Sequence, residues 1–234
     1  AVTNGAQVGS ISLSGQFNSA ALTTNAAVTV VVTTAASKAS TASQAFAFGT
    51  TTLSAGSFTV NGTTFTTTAS DTVSGIVDKI NAAQGQTGVR ADYTTGGAIT
   101  LTNTNYGSAN RVDLSDANGV LLAAAGSASA TGTDAVANVV IDTNGSTAGG
   151  LATVTFTGGR YGQNALRLSD SEGNSISLQE AGNTASTFLA GQISVGSANF
   201  QIGANSGQTT VLSLSNLSAS QLGQGVVSGK NMSN

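Results

Sequence analysis

Residues 57–80 read SFTVNGTTFTTTASDTVSGIVDKI, and the fold can be worked out from this stretch. In its first part, apolar and polar residues alternate on both sides of the dipeptide formed by Asn61 and Gly62. This dipeptide accepts the two positive φ angles of a type I′ turn, the turn that joins tightly paired antiparallel strands. The first part therefore predicts a β-hairpin.

The second part of the same stretch predicts an amphipathic helix. Its apolar residues follow the spacing i, i+3, i+4 and i+7, which places them on one helical face: Val73, Ile76, Val77 and Ile80. Ser70 and Asp71 are candidates for the N-cap, and Gly85 is the expected end of the helix. We expect the apolar face to form the core of a small module.

A second hairpin follows the predicted helix. Val89–Tyr93 and Ala98–Thr102 alternate in the same way on either side of Gly96 and Gly97. The apolar face of this hairpin can close over the helix. The segment 56–123 is thus predicted to form one inserted module of hairpin, helix and hairpin.

The end of this module is repeated later in the chain. Ala98–Thr102 and Asn110–Gly119 are echoed by Ala152–Thr157 and Asn164–Gly173. The helix sequence is repeated less clearly at Ala135–Asp142, because this segment fits either a helix or a strand. We interpret the two regions as related modules, of which the second has diverged.

The N-terminal region and the overall composition favour β-structure. In the run Ala27–Thr33, the residues Val28, Val30 and Val32 share one face under the period of two that is typical of a strand. Val8–Leu13 is a second strand-like run. Pro is absent and the net charge is only −3, while β-branched Val and Thr are abundant. The predicted fold class is mainly β with few short helices (α+β).

The composition also excludes several functions. The chain has no His and no Cys, so it lacks the commonest general base and any thiolate nucleophile. The seven Lys and Arg residues are scattered singly, which does not make a nucleic-acid surface. No apolar run approaches the length of a membrane span. We expect no enzyme activity, no catalytic residues, no cofactor, and no nucleic-acid or membrane partner.

Polar residues that could bind a metal ion cluster in the two repeats. The candidates carry side-chain oxygens of the kind that calcium prefers: Asp113, Asp116, Asn118, Asp170, Glu172 and Asn174. The twelve-residue calcium loop that closes with Glu is missing. Asp and Asn next to Gly119 and Gly173 are also typical of turns. The turn interpretation is favoured, and the cation site is kept as the weaker alternative.

The C-terminal part predicts another hairpin, with a turn at Asn205–Gly207. Its two strands each present an apolar face, made by Phe200, Ile202, Leu212 and Leu214. A two-stranded hairpin is not stable alone in water. Since nothing after Asn216 is apolar enough to cover this face, we expect its packing partner to lie outside the chain.

Two groups of residues resemble bacterial flagellins. Phe200–Thr209 and Leu217–Gly223 are similar to the hairpin that flagellins carry between their two long helical ends. The segments 57–62, 76–81 and 88–91 resemble the insertion module found in the outer parts of flagellins and hook-associated proteins. The resemblance implies a central fragment of a flagellin-like subunit that lacks the terminal helices.

The resemblance implies an arrangement of nested outer domains. Residues 1–55 and 124–195 would form an outer β-rich domain, residues 56–123 the inserted module, and residues 196–234 the hairpin and the return toward a helical core domain. The hairpin would then be a subunit-packing element that lies on this core.

The implied function is that of a structural subunit of the flagellar filament. Such a protein is secreted, extracellular and needed for motility, and its partners are other flagellin subunits. This portion without the assembly helices is expected to be monomeric. Contacts with a host immune receptor or a glycan stay open. The alternatives are a cell-surface adhesin or carbohydrate-binding module, or a hook-associated protein.

Overall fold

A computed structural model describes residues 1–142, 151–162, 164–195, 197–201 and 209–213. Within these ranges the chain forms two short α-helices, α1 (Val73–Ala82) and α2 (Gln84–Thr87). It also forms these strands: β1 (Val8–Ser12), β2 (Gln16–Phe17), β3 (Ala20–Ala21), β4 (Ala26–Thr34), β5 (Lys38–Ala45), β6 (Gly56–Val60), β7 (Thr63–Thr67), β8 (Val89–Tyr93), β9 (Ala98–Tyr106), β10 (Arg111–Asp116), β11 (Gly126–Thr131), β12 (Val136–Asp142), β13 (Leu151–Thr157), β14 (Arg167–Ser169), β15 (Ser175–Leu178), β16 (Thr187–Ile193), β17 (Ser197–Gln201) and β18 (Thr209–Ser213). The predicted fold class, mainly β with few short helices, is confirmed.

The chain divides into two compact units, and one is inserted into the other. Unit 1 comprises Ala1–Thr34, Val136–Thr157 and the chain from Arg167, and unit 2 comprises Ala35–Ala135 and Gly158–Leu166. Unit 2 is therefore wider than the predicted module 56–123. The physical reason is non-local strand pairing, because β5, which precedes that module, pairs antiparallel with β9.

Unit 1 is built on one seven-stranded sheet with the order β1-β15-β14-β13-β12-β4-β16. On β4, Val28, Val30 and Val32 are buried, as their alternation predicts. Val30 pairs with Val139 on β12, so apolar residues of neighbouring strands line the same face. Burial of such side chains is the main stabilising contribution to this unit.

The N-terminal segment brings the two edges of the unit 1 sheet together. Val2 forms a bridge to Gly191 on the edge strand β16, whereas β1, a few residues later, pairs with β15 at the other edge. A Cβ at Gly191 would lie 2.9 Å from Cδ1 of Ile11 and would also collide with the carbonyl oxygen of Ala1. The sheet therefore curves so that its edge strands β1 and β16 approach each other. This close approach requires a glycine at position 191.

Unit 2 contains two smaller sheets and the helix α1. The sheets have the orders β11-β10-β6-β7 and β5-β9-β8, so the two predicted hairpins lie in different sheets. Both hairpins form with the predicted pairing, and the turn residues Asn61 and Gly62 have φ angles of 46° and 81°. These positive values confirm the type I′ turn.

The apolar stripe of α1 enters the core of unit 2, as predicted. Val73, Ile76 and Ile80 are fully buried, and Val77 packs against the same core as a partly buried residue. Strands of both sheets contribute to this core, for example through Phe58. The helix lies between β7 and β8 in the sequence and covers apolar residues that both sheets contribute.

The ends of the helix differ from the prediction. The N-cap is Thr72, whose hydroxyl oxygen accepts a hydrogen bond from the amide of Gly75, and not Ser70 or Asp71. Asp71 is used otherwise: its Oδ2 accepts from the amide of Thr68, and its Oδ1 lies 2.6 Å from Nζ of Lys79. The Lys79 hydrogen bond and the Thr68 donors lower the pKa of Asp71 to about 2.

The helical region also continues past the predicted end at Gly85. The α1 helix ends at Ala82, and the short α2 helix follows until Gly88, which takes the left-handed conformation with φ 67°. A left-handed glycine is a common C-terminal cap. The predicted end at Gly85 is wrong, because Gly88 can also end a helix and the fold selects Gly88.

The repeated sequence segments form strands in both units, but the strands pair differently. In unit 1, β13 pairs with β14 through Thr157 and Ser169. In unit 2, β9 lies between β5 and β8 while β10 pairs with β6 and β11. The segment that repeats the helix sequence forms strand β12, so of the two conformations that its sequence allows it adopts the strand.

Candidate functional site

The carboxylate of Asp116 organises the turn that follows β10. Its side chain is fully buried. Oδ1 accepts hydrogen bonds from the amides of Asn118 (3.3 Å) and Val120 (3.0 Å), and Oδ2 accepts from Leu121 (2.7 Å) and Leu122 (2.8 Å). These four donors use the roughly four acceptor positions of a carboxylate. Asp116 therefore acts as a turn residue, and its oxygens are not free to ligate a cation.

The charge of Asp116 is stabilised by this turn. Burial alone would raise the pKa of the carboxyl group, but the amides of Leu122, Val120, Leu121 and Asn118 donate to it and lower the pKa below its ordinary value. Hydrogen bonds to the ionised form favour that form. The turn in return places Val120 and Leu121 in the core of unit 2.

Asn118 connects the same turn to the first hairpin. Its Oδ1 accepts from the amide of Ser57 at 2.9 Å and from the hydroxyl group of Ser57 at 3.3 Å. Ser57 lies on β6, far from Asn118 in sequence. Asn118, one of the predicted metal candidates, thus links the turn after β10 to strand β6.

A similar turn occurs in unit 1, as the sequence repeat suggests. Oδ1 of the buried Asp170 accepts from the amides of Glu172 (2.8 Å) and Asn174 (2.9 Å), and its Oδ2 accepts from Nδ2 of Asn174 (2.6 Å). Asn174 also reaches a serine of another segment, because its Oδ1 accepts from the amide of Ser14 at 2.7 Å. Asn174 belongs to the predicted polar cluster, and these bonds lie within the turn and to Ser14.

The remaining metal candidates bind protein groups of their own units. Glu172 accepts the amide of Ser19 through Oε1 at 2.6 Å. Asp113 lies 2.6 Å from Arg111 in an exposed ion pair. Among the residues that the structure describes, no group of three or more acidic side chains is placed to hold a metal ion. The turn interpretation therefore fits Asp116 and Asp170, whereas Asp113 lies on strand β10 and Glu172 bonds a distant segment.

The predicted subunit-packing hairpin is described only in its backbone pairing. Strands β17 and β18 pair antiparallel, with Phe200 opposite Thr210 and Ala198 opposite Leu212. Ile202 and Leu214 lie outside the described residues, and so do the side chains of Phe200 and Leu212. Their role in subunit packing stays a prediction.

Asn61 has a further role that its local sequence does not indicate. Besides forming the turn, its Nδ2 donates to the carbonyl oxygens of Thr87 (2.8 Å) and Arg111 (3.1 Å), and its Oδ1 accepts from the amide of Asp113 (2.8 Å). It therefore joins the first hairpin to the end of α2 and to β10. An Asn before Gly indicates only the turn, because these partners are distant in sequence.

The part of unit 2 that contains the two hairpins and the helix α1 matches a known family model in sequence. Residues 52–105 match the flagellin hook IN motif. This range contains the segments that resemble the insertion module of flagellar proteins, so that resemblance is confirmed here and links the segment to flagellar proteins. No curated protein sequence matches the chain.

Comparison with solved structures finds flagellar cap proteins at low similarity. Domains D2-D3 of FliD from Escherichia coli share 17% identity over 79% of this chain and 96% of that chain, with a TM-score of 0.44. The corresponding domains from Serratia marcescens share 17% identity over 80% and 99%, with a TM-score of 0.45. FliD (HAP2) from Pseudomonas aeruginosa PAO1 shares 21% identity over 71% and 80%, with a TM-score of 0.40. At these TM-scores the likeness assigns no function to this chain.

Two further observations concern ligands and membranes. Unit 1 has an open cleft of about 240 Å³ whose apolar lining includes Ile11, Leu13, Val28 and Ile193. This volume is below the roughly 300–1,000 Å³ of most small-molecule pockets. Within the described part of the chain, no helix combines the length and the apolar character that crossing a membrane requires.

Proposed function

We propose that this chain is the surface-exposed portion of a structural protein of the bacterial flagellum, of the hook-associated class. The observation that carries the proposal is the match of residues 52–105 to the flagellin hook IN motif. The matched range coincides with the hairpin, helix and hairpin of unit 2, so motif and local fold agree. The protein is a structural component and not an enzyme.

Flagellin is the second candidate. It is favoured by the resemblance of Phe200–Thr209 and Leu217–Gly223 to the flagellin hairpin. Both candidates share the extracellular location, the role in motility and the assembly with other flagellar subunits. They differ in where the subunit sits and in how many copies the flagellum holds.

In either case, we propose that units 1 and 2 are outer domains and that β17 and β18 return the chain toward an assembly domain. The hairpin has two strands only, and such a hairpin needs a packing partner to be stable. Helical segments of the full-length protein would supply this partner. Without them the chain is expected to be monomeric in dilute solution.

Localisation in the native bacterium tests the proposal. A short epitope inserted at the exposed Thr95, in the turn between β8 and β9, can be labelled with gold and located by electron microscopy. A hook-associated protein is labelled at an end of the filament, whereas flagellin is labelled along its whole length. Label on the cell surface but not on flagella would contradict both.

Deletion of the gene provides an independent test. A flagellar structural protein is needed for swimming, so the deletion strain should lose motility, and the full-length gene should restore it. An adhesin should instead leave swimming unchanged and should bind to a glycan array. Unchanged swimming together with glycan binding would establish the adhesin alternative.

A further inference from the structure

Strand β7 forms an open edge of unit 2. It is the last strand of the sheet β11-β10-β6-β7 and pairs on one side only, with β6. An edge strand presents a row of backbone N–H and C=O groups that can pair with another strand. On β7 the side chain of Phe65 stacks on Phe58 inside the core, with ring centroids 5.3 Å apart, which fixes the orientation of the strand.

The outward-pointing backbone groups of β7 can be identified from the hairpin register. Val60 and Thr63 flank the two-residue turn, and in such a hairpin this pair shares hydrogen bonds within the hairpin. The alternation then directs the backbone groups of Thr64 and Thr66 away from β6. Both residues are exposed, and no bonding partner for their outward groups is found among the described residues.

The corresponding outward groups of β6 are occupied, which supports this assignment. Thr59, opposite Thr64, pairs with Ser115 of β10. Ser57, opposite Thr66, donates its amide to Oδ1 of Asn118. One side of the hairpin is therefore completed by the protein itself, and the other side is left open.

Strand β7 also lacks the features with which proteins usually protect an edge. No charged residue and no Pro occurs between Lys38 and Asp71, and the register of β6 with β7 has no bulge. The edge strand β8 of the other sheet is different. It carries Arg90 and Asp92, and Asn81 bonds both backbone groups of Ala91.

We propose that β7 is a docking edge for β7 of a second copy of this chain. The sequence of the strand, Thr-Thr-Phe-Thr-Thr, is the same in both directions about Phe65. An antiparallel pair related by a two-fold axis at Phe65 therefore brings Thr64 opposite Thr66 of the second copy, and the reverse. The four outward N–H and C=O groups on each copy are then satisfied, and Thr side chains face Thr side chains.

Strand β7 carries no charge, so two copies of it can pair without electrostatic repulsion. The same lack of charge gives a charged peptide no attraction to this edge, and a second copy is therefore the favoured partner. The interface is small, far below the roughly 1,200 Å² of a stable complex, so it forms at high local concentration. In an assembly that tethers many copies, effective concentrations reach about millimolar. The proposal depends on β7 alone and does not depend on the flagellar function.

Register-specific cross-linking tests the proposal, because the chain has no native Cys. The variants T64C and T66C are mixed and mildly oxidised as full chains at increasing concentration. Residues opposite each other in an antiparallel pair have Cα atoms about 5.5 Å apart, which suits a disulfide. The heterodimer of T64C with T66C should form at least about tenfold faster than either homodimer or a T100C dimer.

T100C is the matched control, since Thr100 is equally exposed but lies on β9, which pairs on both sides. Adding T64P to the T66C chain should abolish the cross-link while leaving the circular dichroism unchanged, because this N–H is not used within the hairpin. A second blocked variant places T66K in the chain that carries T64C. Its charge on the edge should also abolish the cross-link. The proposal is overturned if the heterodimer forms no faster than the T100C dimer, or if a folded blocked variant cross-links equally well.

Discussion

Asn81 binds both backbone groups of Ala91. Its Oδ1 accepts from the amide of Ala91 at 2.8 Å, and its Nδ2 donates to the carbonyl oxygen of Ala91 at 2.9 Å. Asn81 lies in the last turn of α1, and Ala91 is in the middle of the edge strand β8. The side-chain amide thus takes the place of a neighbouring strand and ties the helix to the sheet.

Replacing Asn81 by Ala should destabilise the protein by about 1–3 kcal/mol, because the N–H and the C=O of Ala91 both lose their partner. Chemical denaturation measures the effect. Gln86→Ala is the control, since Gln86 is exposed on the adjoining helix α2. A loss for Asn81→Ala no larger than that of the control would show that water replaces the amide without cost.

Ile76→Ala should destabilise unit 2 by about 2–5 kcal/mol, because the fully buried side chain leaves a cavity among the helix and the two sheets. Thermal unfolding followed by circular dichroism measures it. Asp78→Ala, on the exposed face of the same helix, should change the stability by less than about 0.5 kcal/mol. An unmoved midpoint for Ile76→Ala would mean that the helix does not form the core.

The lowered pKa of Asp116 predicts a dependence of stability on acid. The folded state favours the ionised carboxylate, so its contribution is complete above the ordinary pKa of 3.8 and is lost as the pH falls through the lower folded value. We expect Asp116→Asn to be less stable than the native protein at neutral pH by about 1–3 kcal/mol. Its stability should also fall less steeply between about pH 5 and pH 2.

Urea unfolding at several pH values checks this expectation for Asp116. Asp92→Asn, an exposed residue on β8, separates the effect from a simple change of net charge. If Asp116→Asn follows the same acid profile as the native chain, the amides of the turn do not stabilise the charge.

Gly191→Ala should destabilise unit 1 by about 1–3 kcal/mol, because the added methyl group meets Ile11 and the carbonyl oxygen of Ala1 where the two sheet edges approach. Thermal unfolding and proteolysis near the N-terminus measure the loss. Gly5→Ala is the matched control, since a Cβ at Gly5 meets no atom within 4 Å. Equal stability of the two variants would argue that the edges are not held together.

The paired strands β17 and β18 should exchange their amide hydrogens faster than β6 and β7. A two-stranded hairpin opens at low free energy unless another element covers it. Hydrogen exchange with mass spectrometry on this chain, and on a longer chain with the flanking segments restored, measures the difference. Exchange as slow as in β6 and β7 in this chain alone would indicate that the hairpin belongs to a self-contained domain.

Local patterns were predictable where the residues themselves determine the backbone. The Asn61 and Gly62 turn follows from the tolerance of these two residues for positive φ, and the stripe of α1 follows from the helical period. The N-cap was predicted less well. Ser70, Asp71 and Thr72 are consecutive and all can cap, and only the bonds of Asp71 to Thr68 and Lys79 leave the cap to Thr72.

The role of the acidic residues was harder to predict. The sequence pattern alone permits both a turn and a cation site at Asp116 and Asp170, because both uses need the same oxygens. The count of amide donors around Asp116 depends on how the chain folds back after β10. The link from Asn118 to Ser57 spans two strands and has no local signal.

The sequence by itself determined the type of most elements: the hairpins, the amphipathic helix, the valine strand β4 and the turns that end in Gly119 and Gly173. Only the tertiary structure decided which strands are neighbours. β5 joins unit 2 through β9, the repeated strands pair differently in the two units, and β7 is left at an edge. The physical reason is that conformation follows from the φ and ψ preferences of adjacent residues, whereas pairing follows from which apolar faces can be buried together across long distances in sequence.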